Sequence, residues 1–200
     1  MTNTRPRLLH LLDGAELRVN PEGEGLRTEY LPEGLSLSNW FDRDATGHDL
    51  AEHMFLRARI DAAGARGLGT PPPMVLIEVV HPRALQEFWR EISHQFPDID
   101  GLCMIVDEEG LLHGLRINSP ASVLYGYGIH PDVQTPICGP AYILAEKRIY
   151  DEEGYLEDTA IVGLPAELTE EDFRQLFLSI LIASTTSQNI TTNPAVLMED

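Results

Sequence analysis

The chain alternates between two hydrophobic periods, one typical of strands and one typical of helices. Residues 74–80 form an apolar run that predicts a central strand, and residues 82–96 then place apolar side chains at helical spacing. Glycine-containing turns separate the segments that follow, which indicates short antiparallel strands. These further predicted strands are residues 102–106, 111–117, 137–150 and 155–162.

The last apolar periodic segment predicts a helix over residues 170–183. Thr169 is a suitable N-cap, and three acidic residues in the first turn favour the positive end of the helix dipole. The helical stripe is apolar and aromatic, so we expect this helix to pack on the sheet. Residues 184–200 are polar and predict a flexible tail.

The N-terminal third has a different organisation. Two short alternating runs, residues 15–20 and 26–31, flank a Pro- and Gly-rich centre and predict a hairpin, and residues 48–63 predict an amphipathic helix. Residues 64–73 combine glycines with three prolines and predict a linker. We therefore expect an appendage at 1–70, a core domain at 74–183 and an α+β fold: a mainly antiparallel sheet with helices packed on it.

The charge of the chain is strongly negative. Its 32 acidic and 14 basic residues give a net charge of −18, and the last fifty residues hold 11 acids and one arginine. Such a charge argues against direct binding to nucleic acid or to anionic membranes. With no apolar run long enough to span a bilayer and a polar start without a signal peptide, the sequence predicts a cytoplasmic protein. The acidity itself has two explanations, a functional surface or a salt-adapted host.

Recognisable catalytic or metal-binding motifs are weak in this chain. Residues 42–53 begin like a calcium loop, but Asp49 and His53 stand where an apolar residue and a glutamate are needed. Cys103 and Cys138 lack the paired spacing of a zinc site, and no serine lies in a nucleophile elbow. We therefore expect no metal, no cofactor and no assigned catalytic residue, although an undetected enzyme stays an alternative.

Residues 118–130 form a loop that interleaves glycine, aromatic and amide groups. Such a loop can hold a ligand or a partner. The alternative is architectural: Pro120 starts a short helix, Leu124 packs on the core and the glycines make bends. The candidate binding residues are Asn118, Ser119, Tyr125, Tyr127 and His130.

The tetrapeptide Asp-Glu-Glu-Gly occurs twice, and glycine in each copy predicts a turn with positive φ. In a sheet built from hairpins the two turns can reach the same edge, where their carboxylates would form a field that attracts a basic partner. The alternative is a set of solvated turns. The residues of this predicted acidic surface are Asp107, Glu108, Glu109, Asp151, Glu152, Glu153, Glu157 and Asp158.

Four segments resemble a family of small proteins with a domain of unknown function, found in bacteriophages, plasmids and actinobacterial or firmicute genomes. They are residues 105–110, 114–115, 118–126 and 137–141, and the family motif is N-P-x-A-S-x-L-Y-G followed by I-x-G-P. Ser119 interrupts the Asn-Pro pair of that motif. The resemblance covers residues 74–148 and implies a mobile-element setting without a catalytic residue to carry over.

Charge and resemblance together favour a non-enzymatic accessory protein of a phage or mobile element. Its acids would bind a host protein, including a nucleic-acid-binding one, as a nucleic-acid mimic or an inhibitor of a host defence protein. The first alternative is a small-ligand or nucleotide binder that uses residues 118–130. The second is a structural or assembly protein whose acidity reflects its host, and self-association stays open.

Overall fold

The computed structural model describes residues 7–12, 26–30 and 76–191. Its described strands form one antiparallel six-stranded sheet: β1 (Arg7–Leu11), β2 (Leu26–Tyr30), β3 (Ile77–Val80), β4 (Gly101–Asp107), β5 (Ala141–Tyr150) and β6 (Leu156–Val162). The described helices are α1 (Arg83–Ile92), α2 (Ser119–Tyr125) and α3 (Glu170–Thr191), and a 3₁₀ turn at Ser93–Gln95 extends α1. The predicted α+β class is confirmed.

The sheet has β5 near its centre. The strand order is β2-β1-β5-β4-β3, and β6 pairs with β5 beyond the end of β1. Alternate residues of each strand point to opposite faces. On one face Ile143 and Met104 join the core formed with the helices, and on the other face Tyr142 and Ile105 belong to a second cluster of buried strand residues.

The predicted apolar stripes of α1 and α3 do contact the core. Leu85 of α1 is fully buried, and the Phe88 ring lies 5.7 Å from the Phe173 ring between centroids. Thr169 caps α3 as predicted, because its Oγ1 accepts the Asp172 N–H while the Asp172 carboxylate accepts the Thr169 N–H. The two helices therefore pack side by side over the same face of the sheet.

The N-terminal strands differ from the predicted arrangement. Strand β2 lies where the sequence places it, but its partner is Arg7–Leu11, and this strand also pairs with β5. Both strands are therefore continuous with the core sheet and do not form an appendage. Leu8, Leu9 and Leu11 explain this, because all three are buried at 0–1% exposure. Residues 15–20, the helix at 48–63 and the linker at 64–73 lie outside the described residues.

Two further predictions are wrong. Residues 111–117 are not a strand: turns occupy 108–114, and Ile117 forms only an isolated bridge with Cys138. The neighbours of β4 are β3 and β5, which already occupy both of its edges. Residues 184–191 are not a tail, because α3 continues to Thr191. Polar residues have only moderately lower helix propensity, so a helix anchored by its packed first turns continues through them.

Candidate functional site

The loop at 118–130 is held in place by a buried asparagine. Asn118 is 0% exposed, and its Nδ2 donates to Leu11 O at 2.7 Å and to Gly139 O at 2.9 Å. Its Oδ1 accepts the Ala121 N–H at 3.1 Å and so caps α2. One side chain thus connects strand β1, the start of α2 and the segment before β5.

The end of α2 determines where His130 lies. Gly126 takes φ +104°, a left-handed conformation that favours glycine, and its carbonyl accepts the His130 N–H at 2.8 Å. A Cβ on Gly126 would lie 2.5 Å from His130 Cδ2, so the imidazole packs directly against the glycine. The structure also has Pro120 in the first turn of α2, Leu124 buried in the core, and positive φ angles at Gly126 and Gly128, as the architectural alternative expects.

This same loop closes one side of a cavity of about 600 Å³. The other sides come from α1 and α3, which are remote from the loop in the sequence. The apolar part of the lining is Ala84, Val123, Leu124, Ile129, Ile180 and Ala183, and the polar side chains are Arg83, Glu87, Tyr125, His130 and Ser184. A cavity of this size, lined by both apolar and polar side chains, lies within the range of small-molecule sites.

The charged rim of the cavity is an ion pair within α1. Arg83 Nε donates to Glu87 Oε1 at 2.8 Å, one helical turn away. This hydrogen bond lowers the pKa of Glu87 and raises the pKa of Arg83. Glu87 therefore stays ionised, and the guanidinium keeps its Nη donors for another acceptor.

The candidate residues of the loop divide into two groups. Tyr125 and His130 line the cavity, whereas Asn118, Ser119 and Tyr127 are not among its lining residues. Asn118 instead has the structural role given above. The contributions of α1 and α3 were not predicted, because periodicity identifies a helix but does not show which loop packs beside it. The one sequence signal that could have pointed to α1 is the i, i+4 spacing of Arg83 and Glu87.

The predicted acidic surface is divided between opposite ends of the sheet. Asp107 ends β4 beside the start of β5, where Val106 pairs with Ala141, whereas Asp151 follows the far end of β5. Nine residue steps along β5 separate the two turns by about 30 Å. The prediction that they reach one edge is therefore wrong. At this distance their carboxylates do not act together, because screening limits charge interactions to about 8 Å at physiological ionic strength. Asp107 is also buried, at 5% exposure.

A second array of titratable groups lies on the opposite face of the sheet. His81 Nε2 lies 2.8 Å from Glu146 Oε1, and Glu146 also neighbours Cys103. Burial and the adjacent carboxylate raise the pKa of Cys103 well above its usual range. The Glu146 carboxylate thus lies between the Cys103 thiol and the His81 imidazole. Because a neighbouring negative charge disfavours the thiolate, this arrangement does not activate Cys103 as a nucleophile.

Both cysteines are expected to resist thiol reagents in the native protein. Cys103 and Cys138 are buried, and burial raises the pKa of each thiol. At about pH 8 we expect an aromatic disulfide reagent to react with them at least about 100-fold more slowly than after unfolding in urea. The variant Cys103→Ser isolates Cys138. Rapid reaction of the native wild-type protein that is lost in Cys103→Ser would show that the sheet around Cys103 opens readily.

Neither a metal site nor a membrane helix is evident in the part of the chain that the structure describes. Among residues 7–12, 26–30 and 76–191, no three His, Cys, Asp or Glu side chains are placed to hold a metal ion. Within the same ranges, no helix is long and apolar enough to cross a membrane. The calcium-like residues 42–53 lie outside these ranges.

Comparison with known proteins found no matching family model, no similar curated protein and no similar solved structure. The resemblance to a mobile-element family therefore stays a prediction.

Proposed function

We propose that this protein binds a small, largely apolar molecule that carries an anionic group, in the cavity between α1, α3 and residues 118–130. The single observation that carries the proposal is the cavity itself, because three elements distant in sequence converge around about 600 Å³ of space. Ligand sites are commonly clefts of about 300–1,000 Å³ with an apolar lining and a few polar groups. The proposal follows the small-ligand hypothesis from the sequence.

The lining supports this class of ligand. The apolar side chains offer burial to a hydrocarbon or aromatic body, which stabilises a complex by about 25 cal/mol per Å² removed from water. At the rim, the Arg83 guanidinium retains Nη donors beyond its bond to Glu87, and these suit a carboxylate, sulfonate or phosphate. His130 and Tyr125 supply further polar groups beside the apolar surface.

We propose binding as the role of this cavity because Glu87, the carboxylate in its lining, forms an ion pair with Arg83. Arg83 neutralises Glu87 and lowers the pKa of Glu87, so this carboxylate is not held protonated for general acid chemistry. Binding of a host protein through the acidic residues remains a separate proposal. Because the two Asp-Glu-Glu-Gly turns lie at opposite ends of β5, each turn would have to act without the other.

Anilinonaphthalene sulfonate is a suitable probe, since it joins an aromatic body to an anion. We expect saturable binding to the native protein, with affinity lowered about 3-fold by Arg83→Gln, as for the loss of a solvent-exposed charge contact. Ala183→Trp should abolish binding by filling the cavity. Fluorescence titration measures both effects.

Arg90→Gln is the matched control, because Arg90 lies on the same helix but does not line the cavity. It should leave affinity unchanged. Equal losses in the two arginine variants, or dye binding that appears only on partial unfolding, would contradict the proposed site.

A further inference from the structure

The β5–β6 hairpin extends beyond the rest of the sheet. Strand β4 begins at Gly101 opposite Glu146, whereas β5 continues to Tyr150 and returns through β6. Every residue from 147 to 159 is exposed. Four of them are large and apolar or aromatic, with exposures of 41–68%: Ile149, Tyr150, Tyr155 and Leu156. Exposed large side chains concentrated on one projecting element are typical of a contact surface.

The tip of the hairpin is well ordered by its own hydrogen bonds. Asp151 Oδ1 accepts the N–H groups of Glu153 at 3.0 Å and Tyr155 at 2.7 Å, and the Asp151 N–H donates to Tyr155 O at 2.9 Å. Gly154 takes φ +86°, as the predicted turn requires. A surface ordered before association loses less conformational entropy when it binds.

Apolar and acidic side chains are combined on this tip. Tyr150 and Leu156 are direct cross-strand partners, so their side chains lie next to each other on one face. Residues 149–158 include no basic residue, and their five acids are Asp151, Glu152, Glu153, Glu157 and Asp158. Tyrosine is frequent at the energetic centre of interfaces, and surrounding charges select and orient the partner.

We propose that the hairpin tip, residues 149–158, is a docking surface for a protein with an apolar pocket flanked by lysine or arginine. Tyr150 and Leu156 would enter the pocket, and the five acids would contact its basic rim. A second copy of this chain fits poorly, because each copy carries a net charge of −18. Strand addition at Thr159 is also disfavoured, since the Asp158 carboxylate already accepts the Thr159 N–H at 2.7 Å.

The probe for this surface is a displayed library of random peptides selected against the immobilised full chain. We expect enriched peptides that combine apolar residues with lysine or arginine. The double substitution Tyr150→Ala with Leu156→Ala should weaken the best synthetic peptide at least about 30-fold, as for the loss of interface hot spots. Replacing Asp151, Glu152 and Glu153 by Asn and Gln should slow association about 10-fold at low salt.

The control is the double substitution Leu111→Ala with Leu112→Ala, whose side chains are 54% and 82% exposed at the other end of the sheet. It should leave peptide affinity unchanged. Tyr155→Ala, at 68% exposure, gives a second hairpin variant if the double variant melts early.

Three outcomes would overturn the proposal. The first is enrichment of acidic or neutral peptides, or of none. The second is equal loss of affinity in the hairpin and control variants. The third is a concentration-dependent rise in mass that the hairpin variant abolishes, because the occupant would then be a second copy of the chain.

Discussion

Replacing Phe173 or Phe177 by alanine is expected to lower the free energy of unfolding by about 3–5 kcal/mol. Both rings are 1% exposed and belong to the core between α3 and the sheet. The lost stability is the transfer free energy of the ring plus the free-energy cost of the cavity that it leaves. That cavity persists because the surrounding structure relaxes only in part. Urea denaturation followed by circular dichroism measures the change.

Ile182 provides a control within the same helix. Its side chain is 66% exposed, so Ile182→Ala should change stability by no more than about 0.5 kcal/mol. If the phenylalanine variants lose less than about 1 kcal/mol, α3 does not anchor the sheet, and the side of the cavity that α3 forms would not be held in place.

Replacing Asn118 by alanine is expected to destabilise the protein by about 3–7 kcal/mol, because it removes three buried hydrogen bonds. The carbonyls of Leu11 and Gly139 would lose their donor at about 1–3 kcal/mol each, and loss of the helix cap adds about 1 kcal/mol. Chemical denaturation again measures the change. Ser119→Ala is the neighbouring control and should have little effect.

A second variant separates the two roles of Asn118. Asn118→Asp keeps the oxygen that caps Ala121 but turns a carboxylate toward two carbonyl oxygens. We therefore expect it to be at least as destabilising as the alanine variant. Wild-type stability in Asn118→Asp would mean that only the cap matters and that the connection to β1 contributes little.

The elements that the sequence predicted well are those whose signal is local. The stripe that includes Phe173 and Phe177 specifies an amphipathic helix by its own spacing, and Thr169 with Asp172 specifies where that helix begins. Runs such as residues 102–106 indicate a buried strand because every position is apolar. The α+β class follows from these local patterns taken together.

The candidate site was only partly predictable. Residues 118–130 were recognised by their composition, and Tyr125 and His130 do line the cavity. Arg83 and Ile180 also line it, but their own segments read only as ordinary surface and core positions of helices. These residues line one cavity only because α1 and α3 pack side by side over the sheet, and that packing is a property of the whole fold.

The two Asp-Glu-Glu-Gly turns show most directly what sequence and tertiary structure each decide. In both copies the aspartate accepts the N–H two residues later at 3.0 Å, Asp107 from Glu109 and Asp151 from Glu153, so this local geometry follows from the tetrapeptide. The glycines differ. Gly154 takes the predicted positive φ with open space around it. The same prediction is wrong for Gly110, whose φ is not positive and where a Cβ would lie 2.1 Å from Cys138 O.

The sequence by itself therefore determined the α+β class, the helical stripes and the bend at each acidic turn, because these depend on neighbouring residues. Tertiary structure decided that the bend after Asp107 leads into further turns, and that the bend after Asp151 closes a hairpin. It also placed the two turns at opposite ends of β5. The physical reason is that strand order and helix packing depend on burial of apolar area contributed by distant segments, which no local pattern contains.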